Sequence, residues 1–341
     1  MKKRFGASVT MLVALTLGAT MLTGLSSTGS LSATARQHDQ TLAAHAAFVK
    51  DMSSHAPMMR APVSPSVLAS SPGVTESASV NWSGFADTPT ATTGPASTIS
   101  SVSSSWTIPR VSCLVGQYRN QDAFLAQWVG LDGYTDGTVE QLGTATQCYE
   151  GVEYYYVWYE MFPAGTVEEG TTQCINNNVD CPEPGDRVQA SVVSTPGTGG
   201  NNNYTLKLTD FSNPSESFDV ANQPCPATTC LNTSAEWIVE RPAFDLPFGF
   251  QILPQADYGQ TSFQNGTLGI GNRVTTIDRY PGTVNDIAMI DDSLSYYLSC
   301  PGQNGPPGQL LLFPQTASSP NPCGPTNAWG GNFSDTWDSS F

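Results

Sequence analysis

The feature that most constrains this chain is a series of short runs rich in Val, Ile, Thr, Tyr and Trp. Examples are SSVSSSWTIPRV, FLAQWVGL, YYYVWYEMF, RVQASVV and NYTLKLTDF. These residue types are typical of strands, and Gly, Pro, Asn and Asp separate the runs, as in GTGGNNN and QNGT. No convincing helix of ten residues interrupts the series. The pattern predicts an all-β protein built as an antiparallel β-sandwich of two sheets.

The first 35 residues differ from this pattern. They begin MKKR, continue through an apolar stretch from about Ala7 to Leu25 and end at ATA, a small-x-small cleavage pattern. We interpret residues 1–35 as a secretory signal peptide. The alternative is a membrane anchor, but Thr and Gly interrupt the run and it is short for a span. We therefore expect a secreted, extracellular protein.

Residues 36–75 are interpreted as a propeptide and linker, with a disordered spacer as the alternative. QHDQTLAAHAAFVKDM has apolar residues at helical spacing, and APVSPSVLASSPG is rich in Pro and Ser. The segment is poor in acids. We hypothesise that it docks on an acidic domain, residues 76–341, and is released when carboxylates of that domain protonate. The protein's own propeptide is thus one expected partner.

The charge of the chain excludes several partners. The formal net charge is −16, and from Glu76 onward seven cations face 27 acids. Such a surface repels nucleic acid and anionic membranes, so we expect neither as a partner. It suits acid surroundings, although solubility alone is the alternative explanation. We expect a monomer.

Histidine is confined to the N-terminal part, at His38, His45 and His55. Removal of that part would leave no imidazole, which excludes Ser-His-Asp triads, Cys-His pairs and His-based zinc sites. Acid and base chemistry would then come from carboxyl, Tyr, Lys or thiol groups, and the acidic composition favours carboxyl groups. No metal or cofactor is expected.

The eight cysteines all lie in the C-terminal part, and their even number favours disulfides over a zinc or redox site, since none forms a CxxC. Chain order suggests four pairs, although eight cysteines allow 105 connectivities. The suggested pairs are Cys113–Cys148, Cys174–Cys181, Cys225–Cys230 and Cys300–Cys323. The tail from Cys300 is interpreted as an edge strand or a surface strap.

Five ordered blocks, NWSGF, WVGLDG, VEQLGT, YYVWYEMFP and SAEWIVERP, resemble the glutamic peptidases, also called eqolisins or peptidase family G1, and their bacterial members most. The resemblance implies a concanavalin-like sandwich, an acid optimum, polypeptide substrates and a catalytic Gln/Glu dyad. It carries the catalytic glutamine to Gln141 and the catalytic glutamate to Glu236. It implies cleft or substrate-binding positions at Trp128, Asp132, Trp158, Tyr159 and Glu160.

The same residues permit plainer interpretations. Taken alone, Gln141 could be a strand or turn amide that satisfies backbone groups, Glu236 a solvated strand position, and Asp132 a turn residue before Gly133. Trp128 and Trp158 suit core packing as well as substrate contact. By the dyad mechanism, the Glu activates water and protonates the leaving nitrogen, while the Gln stabilises the oxyanion.

Two other functions stay open at this point. A glycoside hydrolase on a β-sandwich would need paired carboxylates, which Glu150, Glu153 and Glu160 could supply. A non-catalytic lectin-like binding module would need neither Gln141 nor Glu236.

Overall fold

The computed structural model describes residues 53–61, 74–90, 98–113, 123–149, 151–169, 181–197, 201–246, 249–290, 310–315 and 332–337. The predicted signal peptide and most of the predicted propeptide lie outside these residues. Within the described ranges the chain forms nineteen strands, two 3-10 turns (Pro214–Glu216 and Ile277–Arg279) and no α-helix. No helix in this part of the chain is long and apolar enough to cross a membrane.

The strands are β1 (Ser53–Ser54), β2 (Val74–Ser79), β3 (Trp82–Thr88), β4 (Ile99–Thr107), β5 (Ala123–Leu131), β6 (Val139–Tyr149), β7 (Val152–Phe162), β8 (Thr166–Glu169), β9 (Arg187–Pro196), β10 (Asn202–Asp210), β11 (Phe218–Pro224), β12 (Ala235–Glu240), β13 (Ala243–Leu246), β14 (Gly249–Ile252), β15 (Gln260–Ile270), β16 (Arg273–Thr276), β17 (Thr283–Ile290), β18 (Leu310–Gln315) and β19 (Phe333–Trp337).

Hydrogen-bonded neighbours of the larger sheet follow a long path, β11-β10-β9-β4-β15-β19-β18-β17-β3-β12-β5-β6-β7-β8, with β16 beside β15 and β2 beside β17. Strands β1, β13 and β14 form a separate three-stranded sheet. The two halves of the long path pack face to face around a large hydrophobic core. On one side of this core, β4, β9 and β10 contribute Val102, Val188 and Leu206. On the facing side, β5, β6 and β12 contribute Val129, Leu142 and Trp237. The predicted all-β, antiparallel sandwich is therefore confirmed. One pairing departs from it, because β2 runs parallel to β17.

The tail does not lie at an edge of the sheet. Strands β18 and β19 stand side by side between β17 and β15, in the interior of the strand order. Phe333 of β19 is buried and stacks on Phe263, with ring centroids 4.8 Å apart. The interpretation of the tail as an edge strand is wrong for these residues, since they complete the sheet rather than border it.

The disulfides follow chain order where the structure describes them. Cys113–Cys148 and Cys225–Cys230 are both formed, as the sequence suggested. Cys181 is also disulfide-bonded, but its expected partner Cys174 and the pair Cys300–Cys323 lie outside the described residues.

The two described disulfides should stabilise the fold unequally. They close loops with sequence separations of 35 and 5 residues. By loop-closure entropy, these lengths correspond to about 4 and ~2 kcal/mol. We expect the Cys113→Ala/Cys148→Ala pair to lower the free energy of unfolding about twice as much as Cys225→Ala/Cys230→Ala. Denaturant unfolding of the two double variants measures this, and equal losses would contradict it.

Candidate active site

The candidate site lies on the face of β12, β5, β6 and β7 that points away from the large core. Strand register aligns three rows of residues across these strands, and directly opposite residues share a face. The rows are Glu236–Gly130–Gln141–Glu160, Ile238–Trp128–Gly143–Trp158 and Glu240–Ala126–Ala145–Tyr156. All twelve residues are buried. We call this surface the cleft face.

Two glycines make room for the indole of Trp128 at the centre of the cleft face. A Cβ on Gly130 would lie 2.9 Å from Trp128 Cζ3, and one on Gly143 would lie 2.6 Å from Trp128 Cβ. Trp82 of β3 meets the same indole edge to face, with centroids 4.9 Å apart. The two glycines thus leave space for Trp128, and Trp82 packs against its indole.

Both indoles hold the carboxyl group of Glu240. Trp128 Nε1 donates to Oε2 at 2.8 Å, and Trp82 Nε1 donates to Oε1 at 3.2 Å. Burial, together with the charge of Glu160, raises the pKa of Glu240 well above its usual value, while the indole donors lower it. Glu240 is therefore a buried carboxyl group with a fixed orientation, as a general base requires.

Gln141 and Glu160 form the second part of the site. Gln141 Nε2 donates to Glu160 Oε2 at 3.3 Å, which orients the amide. Burial raises the pKa of Glu160 to about 8, although hydrogen bonds from His55 N and Ser54 Oγ lower it. The amide keeps a second N–H for another acceptor.

That acceptor comes from Ser53–Ala61, which we call the cleft segment. Gln141 Nε2 donates to the carbonyl oxygen of His55 at 2.6 Å, and His55 N donates to Glu160 Oε2 at 2.9 Å. The imidazole stacks on Trp158, with centroids 3.5 Å apart and planes 6° apart. The imidazole Nδ1 lies 2.8 Å from Glu240 Oε2. The two atoms share a hydrogen bond, whichever of them carries the proton, and the ring blocks access to this carboxyl oxygen.

The rest of the cleft segment is held mainly by its backbone. Ser53 and Ser54 pair with β13, and the Ala56 carbonyl accepts from Trp82 Nε1 at 3.1 Å. Met58 N donates to the Gly133 carbonyl at 3.1 Å. Arg60 lies over the ring of Tyr134, 4.7 Å from its centroid. Recognition through the backbone is the mode by which extended peptides bind along sheets.

Glu236 lies on the cleft face but outside this network. Register aligns it with Gln141 through Gly130, two strand spacings away, about 10 Å between Cα atoms. Burial raises its pKa well above its usual value, and the charges of Asp132, Asp136 and Glu140 raise it further. The structure brings Glu240, rather than Glu236, to the histidine that Gln141 contacts.

The other residues singled out from the sequence separate into two groups. Trp128, Trp158 and Glu160 lie on the cleft face. Tyr159 points the other way and packs towards Phe218, with centroids 6.2 Å apart. Asp132, with φ of 66°, accepts hydrogen bonds from Asn232 N at 2.7 Å and Thr233 N at 2.6 Å. It holds the loop that leads into β12.

The sequence analysis did not single out Glu240 or Trp82, and it treated His55 only as part of the N-terminal segment. A usable signal for Glu240 was present, because Glu236 and Glu240 are four residues apart in one strand and must share a face. Among the described residues, no group of three or more His, Cys, Asp or Glu side chains could hold a metal ion.

Comparison with known proteins decides the family. The model of the Peptidase A4 family matches residues 80–299. The chain belongs to the Peptidase A4 family. As an A4 member, it is a glutamic-type peptidase, a hydrolase that acts on polypeptides. Among solved structures it is similar to aspergilloglutamic peptidase from Aspergillus niger, at 20% identity and a TM-score of 0.39, covering 63% of this chain and 99% of that one. No curated protein matches the chain.

The packing of Trp128 on the cleft face should depend on Gly143. A Cβ there would lie 2.2 Å from the Gln127 carbonyl oxygen and would press on Trp128. We expect Gly143→Ala to lower the free energy of unfolding by ~1–3 kcal/mol and to reduce peptidase activity. Gly137→Ala is the matched control, because nothing lies within 4 Å of its Cβ. Thermal unfolding and a peptide assay measure both variants. Equal behaviour of the two would contradict this account of Trp128.

Proposed function

We propose that this protein is a secreted acid endopeptidase in which Gln141 and Glu240 form the catalytic pair. One observation carries the proposal. A single peptide residue, His55, offers its carbonyl to Gln141 while its side chain reaches Glu240. An amide donor and a carboxyl base within reach of the same residue are what hydrolysis of a peptide bond requires.

The reaction follows from this geometry. The raised pKa of Glu240 belongs to the state in which the cleft segment buries the carboxyl. Once that segment has left and water reaches the cleft, the ionised Glu240 takes a proton from water, and the water oxygen attacks the carbonyl carbon. Gln141 Nε2–H donates to the oxyanion that develops, without titrating in acid. Glu240 then returns the proton to the nitrogen as the C–N bond breaks. Trp128 and Trp82 orient the base, and Glu160 orients the amide.

Exchange of a single glutamate for glutamine should show which of Glu240 and Glu236 is the general base. We expect Glu240→Gln to lower kcat by at least a hundredfold, since a general base is typically worth 10²- to 10⁴-fold. Glu236→Gln, the matched control four residues away on the same strand face, should retain most activity. Initial rates on denatured protein at about pH 3–4 measure both.

All variants should be activated identically, by a foreign protease at a site inserted into the Pro/Ser-rich linker after Ala61. Activity then does not depend on self-processing. Loss of activity in Glu236→Gln with retention in Glu240→Gln would reverse the assignment. A polysaccharide assay beside the protein assay tests the glycoside hydrolase alternative.

We also propose that residues 1–35 are a signal peptide and that residues 36–75 are an inhibitory propeptide. The contacts of the cleft segment support this role, because they occupy Gln141, Glu160 and Glu240 at once. A substrate could not reach these groups while the cleft segment is in place. The disulfides are consistent with an oxidising compartment outside the cytosol.

Inhibition by the cleft segment should weaken in acid through His55. Burial lowers the pKa of His55 to about 3, whereas a free histidine has a pKa of about 6.5. The bound ring resists protonation, so its contribution to binding is complete above pH 6.5 and is lost as the pH falls towards 3. We expect a peptide of residues 51–61 to lose affinity on the order of a thousandfold between pH 7 and 3, relative to its His55→Asn form.

The asparagine peptide is the control because its amide can donate to Glu240 but does not titrate. Glu160 and Glu240 are the carboxyl groups that face the ring, and they titrate in both complexes. Their effect on affinity therefore cancels in the ratio of the two peptides' inhibition constants. Inhibition constants over this pH range measure the effect. A ratio independent of pH would contradict the role of His55.

A further inference from the structure

We propose that the side chain of Asn81 binds the backbone of a substrate on the carboxyl side of the cleaved bond. The proposal rests on the function proposed above, in which a substrate follows the path of the cleft segment through the site. It adds a substrate-binding residue between β2 and β3. It also adds a requirement that a substrate extend several residues beyond the bond.

The cleft segment shows which residues would follow the cleaved bond. Gln141 Nε2 donates to the carbonyl oxygen of His55 at 2.6 Å, so the bond after this position is the one that a substrate would present for cleavage. Residues 56–59 then lie in the places of the first four substrate residues after that bond. Their contacts indicate how the protein holds a chain on this side.

The side chain of Asn81 is buried and makes three hydrogen bonds to this stretch. Asn81 Nδ2 donates to the carbonyl oxygens of Ala56 at 3.3 Å and Pro57 at 3.2 Å. Asn81 Oδ1 accepts from Met59 N at 2.7 Å. All three partner atoms belong to the backbone, and every substrate residue supplies such atoms, apart from the N–H that proline lacks.

The partners of Asn81 determine the orientation of its amide. Two carbonyl oxygens need a donor and one N–H needs an acceptor, so Nδ2 and Oδ1 cannot exchange places. Ser79 Oγ accepts from the backbone N–H groups of Asn81 at 3.2 Å and Trp82 at 3.0 Å. Its hydroxyl proton faces Asn81 Oδ1 at 2.9 Å. These contacts lie within the domain, so they orient Asn81 independently of the peptide.

Asn81 and its neighbour Trp82 connect the bound chain with the catalytic carboxyl group. Trp82 Nε1 donates to the Ala56 carbonyl at 3.1 Å and to Glu240 Oε1 at 3.2 Å. Burial and the charge of Glu160 raise the pKa of Glu240, while hydrogen bonds that include one from Asn81 lower it. Two consecutive residues thus place the first substrate residue after the bond beside Glu240.

The third residue after the bond is also held by its backbone. Met58 N donates to the carbonyl oxygen of Gly133 at 3.1 Å. Main-chain hydrogen bonds of this kind are how extended peptides bind along strands. We therefore expect the peptidase to accept many side chains after the cleaved bond, but to disfavour chains that end too soon to reach Asn81.

Replacement of one peptide N–H tests the contact with Asn81. In a peptide of residues 51–61, an ester in place of the Met58–Met59 amide removes the N–H that Asn81 Oδ1 accepts, with little change of shape. We expect this ester to bind the activated protein about three- to tenfold more weakly than the amide. In the Asn81→Ala variant the two peptides should bind within about twofold of one another. Inhibition constants at one pH measure all four pairs.

An ester of the same kind between Ser54 and His55 is the control. It removes the N–H that donates to Glu160 Oε2, a contact that does not involve Asn81. It should weaken binding by a similar factor in both proteins. If the Met58–Met59 ester lost as much affinity in Asn81→Ala as in the unaltered protein, the inference would be wrong. Equal binding of ester and amide to the unaltered protein would also reject it, whether or not the variant folds.

A cleavable peptide tests whether substrates use the same contact. A sequence found in a digest of denatured protein is resynthesised with three residues after the cut, ending in an amide or in a methyl ester. The amide nitrogen takes the place of Met59 N, whereas the ester offers no donor. We expect kcat/KM to be about three- to tenfold higher for the amide, mainly through KM, and this advantage to vanish in Asn81→Ala. A general defect of the variant would slow both peptides alike.

The two possible failures have different signatures. An equal advantage of the amide substrate in both proteins, or none in either, would show that substrates do not use Asn81 and would overturn the inference. If Glu240→Gln instead retained full activity, the catalytic assignment would fail. The comparison of ester and amide peptides would still decide the role of Asn81, because affinity does not depend on which glutamate is the base.

Discussion

The cleft face depends on one buried group, the carboxyl of Glu240. Transfer of a carboxylate into a protein interior costs several kcal/mol unless hydrogen bonds replace its water. Two indole N–H donors, from Trp82 and Trp128, supply them here. A hydrogen bond to a charged group contributes about 1.5–3 kcal/mol. The Trp82 N–H is shared with the Ala56 carbonyl, and the two donors lower the pKa of Glu240 without overcoming the burial that raises it. Gly130 and Gly143 leave space for Trp128, whose indole N–H reaches the carboxyl.

The fold was largely predictable, because its signal is local. Period-two alternation in β9 and β10 is visible in the sequence and reappears as alternating burial along both strands. The features that could not be predicted depend on pairing between strands that lie far apart in the sequence. Nothing in LLLFPQ or FSDTW tells that these strands separate β17 from β15. The parallel alignment of β2 with β17 joins residues about 200 apart, and no local pattern reports such contacts.

The site was predictable in part, and the limits are physical. The alternation of β7 already separates Trp158 and Glu160 from Tyr159, so the position of Tyr159 could have been foreseen. The different surroundings of Glu236 and Glu240 could not have been foreseen, since both share a face of β12. What distinguishes them is the company of Trp82, Trp128 and His55, which come from three other parts of the chain. The contacts of His55 with Gln141, Glu160 and Glu240 could not be foreseen, because the sequence marks its segment only as N-terminal to the domain.

The buried acids connect this architecture to low pH. Burial raises the pKa of Asp87, Glu140, Glu236 and Asp286 well above their usual values, and neighbouring carboxylates raise them further. A group whose pKa is raised by folding stabilises the fold below its unfolded pKa, and this contribution is lost as the pH rises through the folded value. The same interior that would bear unfavourable charge at neutral pH is therefore neutral in acid. For a chain with formal charge −16, acid also removes self-repulsion among surface carboxylates. The placement of carboxyl groups where water does not reach therefore favours stability of this fold at low pH.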